Sequence, residues 1–502
     1  MPLIGPTSAE GVTPEIQGQL ESNVNDVRTP SQAVMDMRTN WHKVTTLLGG
    51  TNAMRNAGVT YLPKWRLEEP DDYQYRVKTS VLFNAFAHTV SGLGGKPFTR
   101  PVSWSNDMPA EIVEWFENID LTGRSMHVFA QELFTTALGY GLTHVLTDYP
   151  TTEGIQTLAQ EKAINARPYL IHVHPEMILG WRSDKSNGVE TLTQLRILEH
   201  VEVNVGPFAV KTIEQVRVLE PGKWSIWQFD TENEVWKQVN SGVTSMKAIP
   251  IITFYTGRTG FMTAESPLID IADINIQHWQ VSSDLYSVLH TASVPILTVT
   301  GVEKNDDGTA PLTVAAKSAL MLPSGAEAKF VEHSGKAVGS GQTQIDHLEE
   351  QMRLLGAEML VKKPGQATAT QATLDTSQQR SELQSLTGVF EDTLNQVIGV
   401  MARWGTVAGK PGTMIVYKDF LLAADDAVQE ALLFQITTTG MLSQQSFYEA
   451  MQRRDVYDTN VTWEMEQERI KSQPLPQAAL MPPPQVNPPR TPPSSVAAQL
   501  ND

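Results

Sequence analysis

The sequence predicts an α+β fold, and three observations carry that prediction. Apolar residues recur at helical spacing through most of the chain before Thr143. A contiguous stretch from Thr143 to Gly257 then takes on strand character, and from Glu265 onward long apolar-striped helices return. Helices, then strands, then helices is the order of a sheet packed against helices rather than alternating with them.

Taken in order, residues 1–29 are punctuated by Pro, Gly, Ser and Asn and read as a poorly ordered arm. From Ser31 to Leu48, Val34, Met37, Trp41, Val44 and Leu48 fall three and four apart and predict a helix. Thr51 to Asp71 is loop-like. The stretch DDYQYRVKTSVLFNAFAHTVSGLGG, acidic in its first turn and closed by Gly94 and Gly95, predicts one docking helix. A helical pair follows, from Met108 to Asp120 and from Ser125 to Gly141. THVLTDYP then opens the strand region, continued by ARPYLIHVHPEMILGWRSD, TLTQLRILEHVEVNV, EQVRVLEPGKWSIWQF and AIPIITFYTG, whose alternation predicts a half-exposed antiparallel sheet.

Three helical stripes organise the rest. The first runs from Glu265 through Leu268, Ile271, Ile274, Val281, Leu285 and Val288; the second through Ile345, Leu348, Met352, Leu355 and Met359; the third through Leu383, Leu386, Phe390, Leu394, Val397 and Met401. Between the first two sits an insert, Val294 to Val331, in which PILTV, SALMLP and AKFVE are strand-like, while LTVAAK fits either a helix start or a strand. If the flanking helices pack antiparallel, this insert is the tip of a projecting arm. Lys362 to Asp375 forms a small, polar joint, and Pro364 denies the second helix a continuation. Beyond Trp404, GTVAGKPGTMIVYKDF reads as a hairpin, two helices split near Gly440, and 471–502 is a proline-rich disordered tail.

Composition narrows the function. The net charge is −18, from 56 acidic against 38 basic residues, which argues against tight gripping of nucleic acid through a broad basic face and suits a surface past which a phosphate backbone slides. With no cysteine there is no disulfide framework, thiolate metal site or cysteine nucleophile. Charged residues are only 19%, as suits subunits that hide surface against one another. No basic cluster leads into an apolar core at the start and no window carries eighteen uninterrupted apolar residues, so the chain reads as soluble and intracellular with no membrane partner.

Chemical motifs are sparse, and no catalytic, metal or cofactor residue is assigned. His172 and His174 face the same way on a strand, but no motif places a third ligand, so they read as a structural or exposed pair. GLGGKP fails the phosphate-loop pattern at Val90 and Pro97 and reads as a helix end. Asp270 with Asp273, and Glu349 with Glu350, read as solvated helix-surface acids; a carboxylate hydrolase would need a cleft that no motif identifies. Arg453 and Arg454 read as a salt-bridging spot. Lys362 and Lys363 suit the C-terminal end of a helix and, beside the joint, a place where positive charge meets phosphate.

Several stretches resemble the portal proteins of tailed bacteriophages, in a subgroup defined by an uncharacterised phage domain. They are YQYRVKTSVLFNAFAHTVSGLGGKPFTRPV, HVHPEMILGWRSD, QLRILE with QVRVLEPG, SPLIDIADINIQHWQVSSDLYSVLHTASVPILTVTG, ALMLPSGAEAKFVEHSG and LEEQMRLLGAEMLVKK, in that order. The resemblance implies a portal fold with wing, long-helix stem, small α/β clip and helical crown, in a ring, usually of twelve subunits, at one capsid vertex. On this chain the wing looks like 30–262, the first stem helix 263–290, the clip 291–341, the second stem helix 342–361 and the tunnel loop 362–375. The long helix and return to the wing look like 376–419, and the crown like 420–470. It further implies double-stranded DNA in transit past Lys362, Lys363, Gln366, Thr368 and Thr370. The implied partners are terminase, head-completion or adaptor proteins, major capsid and scaffolding proteins, and the implied location is the virion, with assembly in the host cytoplasm. Another annular head–tail adaptor is the alternative, and neither is expected to be an enzyme.

Overall fold

A computed structural model describes residues 26–150, 166–292, 296–301, 325, 327–331, 336–358, 381–418, 433–452 and 461–472. The chain divides into two units, Met1–Phe420 and Leu421–Asp502. Helices and sheets mix in the first, and the fold is α+β.

Helix α1 (Gln32–Leu48) starts after Ser31 and buries Val34, Met37, Trp41 and Val44 as the stripe predicts. Its last buried residue is Leu47 rather than Leu48, because Leu48 faces out at 38% exposure. The loop expected after it contains a helix, α2 (Gly50–Ala57), which buries Met54. The single helix expected over 71–95 is two, α3 (Pro70–Thr79) and α4 (Ala85–Gly95), separated by an extended joint. Pro70 starts α3 where its missing N–H costs nothing, and Asn84 caps α4 by accepting from the Ala87 N–H at 3.2 Å.

Strand β1 (Ser103–Trp104), helix α5 (Ala110–Trp115) and helix α6 (Met126–Tyr140) follow. Gly141 ends α6 at φ +88°, and a Cβ there would lie 2.5 Å from the Glu265 carbonyl carbon, so only glycine fits. Next come β2 (Leu142–Asp148), β3 (Tyr169–Val173), β4 (Ile178–Ser186), β5 (Val189–Asn204), β6 (Val210–Glu220), β7 (Lys223–Asp230), β8 (Val235–Val243) and β9 (Ile251–Tyr255). The strands form two antiparallel sheets: β3-β2-β9, with β2 central, and the meander β4-β5-β6-β7-β8. A short hairpin, β10 (Arg258–Gly260) with β11 (Thr263–Ala264), leads into α7 (Ile269–Ala292).

Beyond α7 lie β12 (Ile296–Thr300), β13 (Glu327–Val331), α8 (Lys336–Glu358), α9 (Glu382–Trp404) and β14 (Met414–Ile415). The hairpin expected after Trp404 does not form among the described residues: β14 pairs instead with β1, some three hundred positions earlier in the chain. A main-chain partner that distant leaves no local signal. One core joins α1, α4, α6, the β2 sheet and α9. At its centre Phe390 of α9 meets Phe254 at 4.8 Å, Phe134 at 5.3 Å and Phe98 at 6.0 Å between ring centroids, mostly edge to face.

The second unit holds α10 (Gln444–Gln452) and α11 (Trp463–Ser472) among its described residues. Gly440 takes φ +76° at the break expected there. The buried Tyr448 donates its hydroxyl to the Val461 carbonyl at 3.1 Å and its ring meets Trp463.

Candidate functional site: a helical arm seated on the body

Two of the three stripes of the sequence, those of α7 and α8, pack against each other and form the arm, while the third, α9, packs on the sheet of β2 and β9. Helix α7, at 24 residues, is about 36 Å long. Its partner α8 starts at Lys336, earlier than the stripe indicated, because Gly339 and Gly341 do not interrupt the helix. Gly341 permits close approach: a Cβ there would stand 2.9 Å from Leu285 Cδ1. Toward the body, His278 Nε2 faces Glu349 Oε1 at 3.3 Å. Rising numbers on one helix meet falling numbers on the other, so the pair is antiparallel. Strands β12 and β13 bridge the far ends, pairing from Ile296 with Val331 to Thr300 with Glu327. The antiparallel packing on which the arm reading depended is therefore present, with a strand pair joining the far ends; SALMLP and LTVAAK lie outside the described residues.

Polar contacts fix α7 to the body. Asn275, fully buried, accepts from the Phe86 N–H at 2.9 Å and donates to the Phe83 carbonyl at 2.8 Å, holding the joint between α3 and α4. It supplies one of the donors' partners that the start of α4 lacks. Ser283 receives the Ser80 hydroxyl at 2.8 Å, Gln280 donates to the Tyr61 carbonyl at 3.0 Å, and Lys43 pairs with Asp273. Arg76, 4% exposed, grips the Glu68 carboxylate through Nε at 2.7 Å and Nη2 at 2.8 Å and reaches Asp284 at 3.4 Å. Its hydrogen bond holds Glu68 below the usual carboxylate range, while burial pushes Asp284 up.

Of the stem residues named from sequence, Leu268, Ile271, Leu285, Ile345, Leu348 and Met352 are buried, and Ile274, Val281 and Leu355 are half-buried. Leu268, Ile271 and Met352 join the body's core, so the foot of the arm is part of the body. Met359, Lys362, Lys363, Gln366, Thr368, Thr370 and the rest of the joint lie outside the described residues. Both of its flanks sit on the body. Gly356 of α8 approaches Thr89 of α4, and α9 opens with a capping box in which Ser381 Oγ accepts from Gln384 N–H at 3.2 Å and Gln384 Oε1 accepts from Ser381 N–H at 2.9 Å. Sequence reading missed Asn275, His278, Ser282 and Ser283, though the three- and four-residue spacing of the first three through an apolar helix marks a buried polar face. Glu68 and Arg76 carry no such local signal.

Several of the remaining chemical candidates have structural partners. His172 bonds Thr143 Oγ1 at 2.8 Å and Glu132 Oε1 at 3.1 Å, and His174 caps the turn at Glu176. Burial lowers His174 to about 4 and the fully enclosed His144 to about 3, and the His172 hydrogen bond holds Glu132 at about 2. Asp270 is exposed, and Glu350 pairs with Arg353 at 2.6 Å. Gly94 and Gly95 end α4 ahead of a helical turn at Lys96–Phe98. Arg453 and Arg454 lie outside the described residues. Among the described residues no group of three or more His, Asp or Glu is placed to hold a metal, and no helix is long and apolar enough to cross a membrane.

Residues 267–405, which take in α7, the tip strands, α8 and α9, match a protein family described as "Domain of unknown function (DUF4055)". No curated protein matches the chain. Among solved structures, the chain is similar to one in the "Virion of native gene transfer agent (GTA) particle", at 11% identity and a TM-score of 0.38 over 80% of this chain and 96% of that one. It is also similar to a chain of the "Neck of native GTA particle computed with C12 symmetry", at 11% identity and a TM-score of 0.39 over 79% and 97%, and to one of the "Neck of empty GTA particle computed with C6 symmetry", at 12% and 0.38 over 72% and 87%.

Proposed function

We propose that this chain is a portal subunit: one of a ring of about twelve copies at a vertex of a phage-like head, through which double-stranded DNA passes in packaging and ejection. The observation that carries the reading is the arm, two antiparallel helices rooted in the core of an α+β body and tipped by a strand pair. It is followed by a helix, α9, that returns to the same core through Phe390. In this reading the arm is the stem, its tip is the clip that docks terminase and head-completion or adaptor proteins, and the body is the wing that meets major capsid and scaffolding proteins. The joint over 362–375 lines the channel, with Lys362 and Lys363 as weak phosphate contacts in an acidic duct. The role is mechanical, and ATP hydrolysis falls to the separate terminase. The location is the virion, after assembly in the host cytoplasm.

Native mass spectrometry of the purified chain tests the ring: closed rings near twelve copies are expected, and a stable monomer at micromolar concentration overturns it. Replacing Lys362 and Lys363 by Glu tests the channel. Rings should form as before while less DNA is retained in the head, and full-length packaging refutes the phosphate contact.

A further inference from the structure

We propose that neighbouring copies in the ring are joined by a braced turn of one copy, residues 63–68, seated in the groove between α4 and α8 of the next. The proposal rests on the ring reading above and names the contact that would build it.

The turn is held from beneath. Arg76 binds Glu68 through two nitrogens, donates to the Pro63 carbonyl at 2.8 Å, and lies over the Trp65 ring at 4.3 Å, while the Trp65 N–H donates to Glu68 at 3.0 Å. This bracing presents Leu67 to solvent at 86% exposure, beside Trp65 at 45%; exposed Lys64 and Arg66 precede Leu67 in the chain, and exposed Glu69, Asp71 and Asp72 follow it. A large apolar side chain fixed in place without a core of its own is preorganised for a partner.

The groove is open to solvent and mixed in lining. About 560 Å³ in volume, it is floored by Phe83, which is 49% exposed, and by the buried Met352. Its rim carries three carboxylates, Asp346, Glu349 and Glu350, against one guanidinium, Arg353. In the proposed contact the apolar centre takes Leu67, the acidic rim meets Lys64 and Arg66 on the leading side of the turn, and the acidic residues that follow, Glu69, Asp71 and Asp72, stay outside the groove, so that charge sets the register. The two surfaces are different parts of one chain: the turn hangs from Arg76 beside Asp284, and the groove opens where Phe83 and Glu349 meet His278. A contact between unlike surfaces repeats head to tail, which is the arrangement that closes into rings.

The test compares full-length wild type with Glu349→Lys/Glu350→Lys, Lys64→Glu/Arg66→Glu, the quadruple variant and Leu67→Asp, by native mass spectrometry and sedimentation across a concentration series. Each double variant and Leu67→Asp should need at least about tenfold more protein to form rings, and the quadruple variant should return close to wild type. Leu67 and the two basic residues are exposed, so those variants keep the test valid if the groove variant misfolds. Rings of wild type with the Leu67 and Lys64/Arg66 variants unchanged overturn this contact alone, as does a folded quadruple variant that is not rescued. A wild type without rings overturns the ring reading itself.

Discussion

Asn275 is the residue on which the seating of the arm most depends, and replacing it by Ala should release α4 at its first turn. The side chain is fully buried and makes two hydrogen bonds, from the Phe86 N–H and to the Phe83 carbonyl. Alanine leaves both main-chain groups without partners in a dry site. At 1–3 kcal/mol for each orphaned group, with a small cavity added, the loss is about 3–5 kcal/mol. Asn275→Asp should do no better, because it keeps the acceptor for Phe86 but turns an oxygen toward the Phe83 carbonyl and buries a charge. Amide hydrogen exchange by mass spectrometry reads the effect locally. Protection at Phe86 and the first turn of α4 should fall about a hundredfold or more, while the second sheet, β4 to β8, exchanges as before. A change of less than threefold at Phe86, with an unaltered melting temperature, would refute the view that this side chain fixes the joint.

Phe390→Ala should cost about 3–5 kcal/mol and leave α9 open to limited proteolysis, since the ring sits among Phe98, Phe134 and Phe254; a chemical denaturation midpoint unchanged from wild type would contradict this. Gly141→Ala should sharply lower soluble yield and melting temperature, because both its φ of +88° and the Glu265 main chain exclude a Cβ. For pH, His144 and His174 are held neutral by burial, with folded values of about 3 and about 4 against 6.5 unfolded. The unfolded chain therefore binds more protons below pH 6.5, so their contribution is present above that pH and is lost at up to about 1.4 kcal/mol per unit for each histidine as pH falls toward 4. Melting temperature should drop from pH 7 to 5, less steeply in His144→Asn; a flat profile would count against these burials. Replacing residues 296–330 by a short Gly/Ser bridge should leave a soluble body that no longer pulls down terminase or head-completion proteins, and unchanged pull-down would show that docking lies elsewhere.

What could be read from the sequence followed from short-range geometry. A helix with one buried face must repeat its apolar residues every three or four positions, and a strand with one buried face every two. The stripes of α1, α7, α8 and α9 and the strand character of β2 to β7 were therefore visible, as were the breaks at Gly141 and Gly440, but β2, central in its sheet, is buried on both faces and not half-exposed as alternation implied. Two such stripes with strand-like sequence between them implied an arm with a tip only if the helices packed antiparallel, and it was the fold that supplied that packing.

Tertiary structure decided the rest wherever a main-chain group found its partner far along the chain. The segment 71–95 is continuous in helical pattern, yet it opens at 80–84, where Asn275 and Ser283 of α7 supply partners that an unbroken helix would not need. Helix α2 forms from glycine- and asparagine-rich sequence because Met54 is buried in the common core, and β14 pairs with β1 rather than with its own neighbours. The braced turn depends on Arg76 meeting Glu68, eight residues away, with Asp284 more than two hundred positions beyond. Periodicity records which face of an element is buried, but a hydrogen bond between distant residues repeats nothing in the sequence, so only the folded chain reveals it.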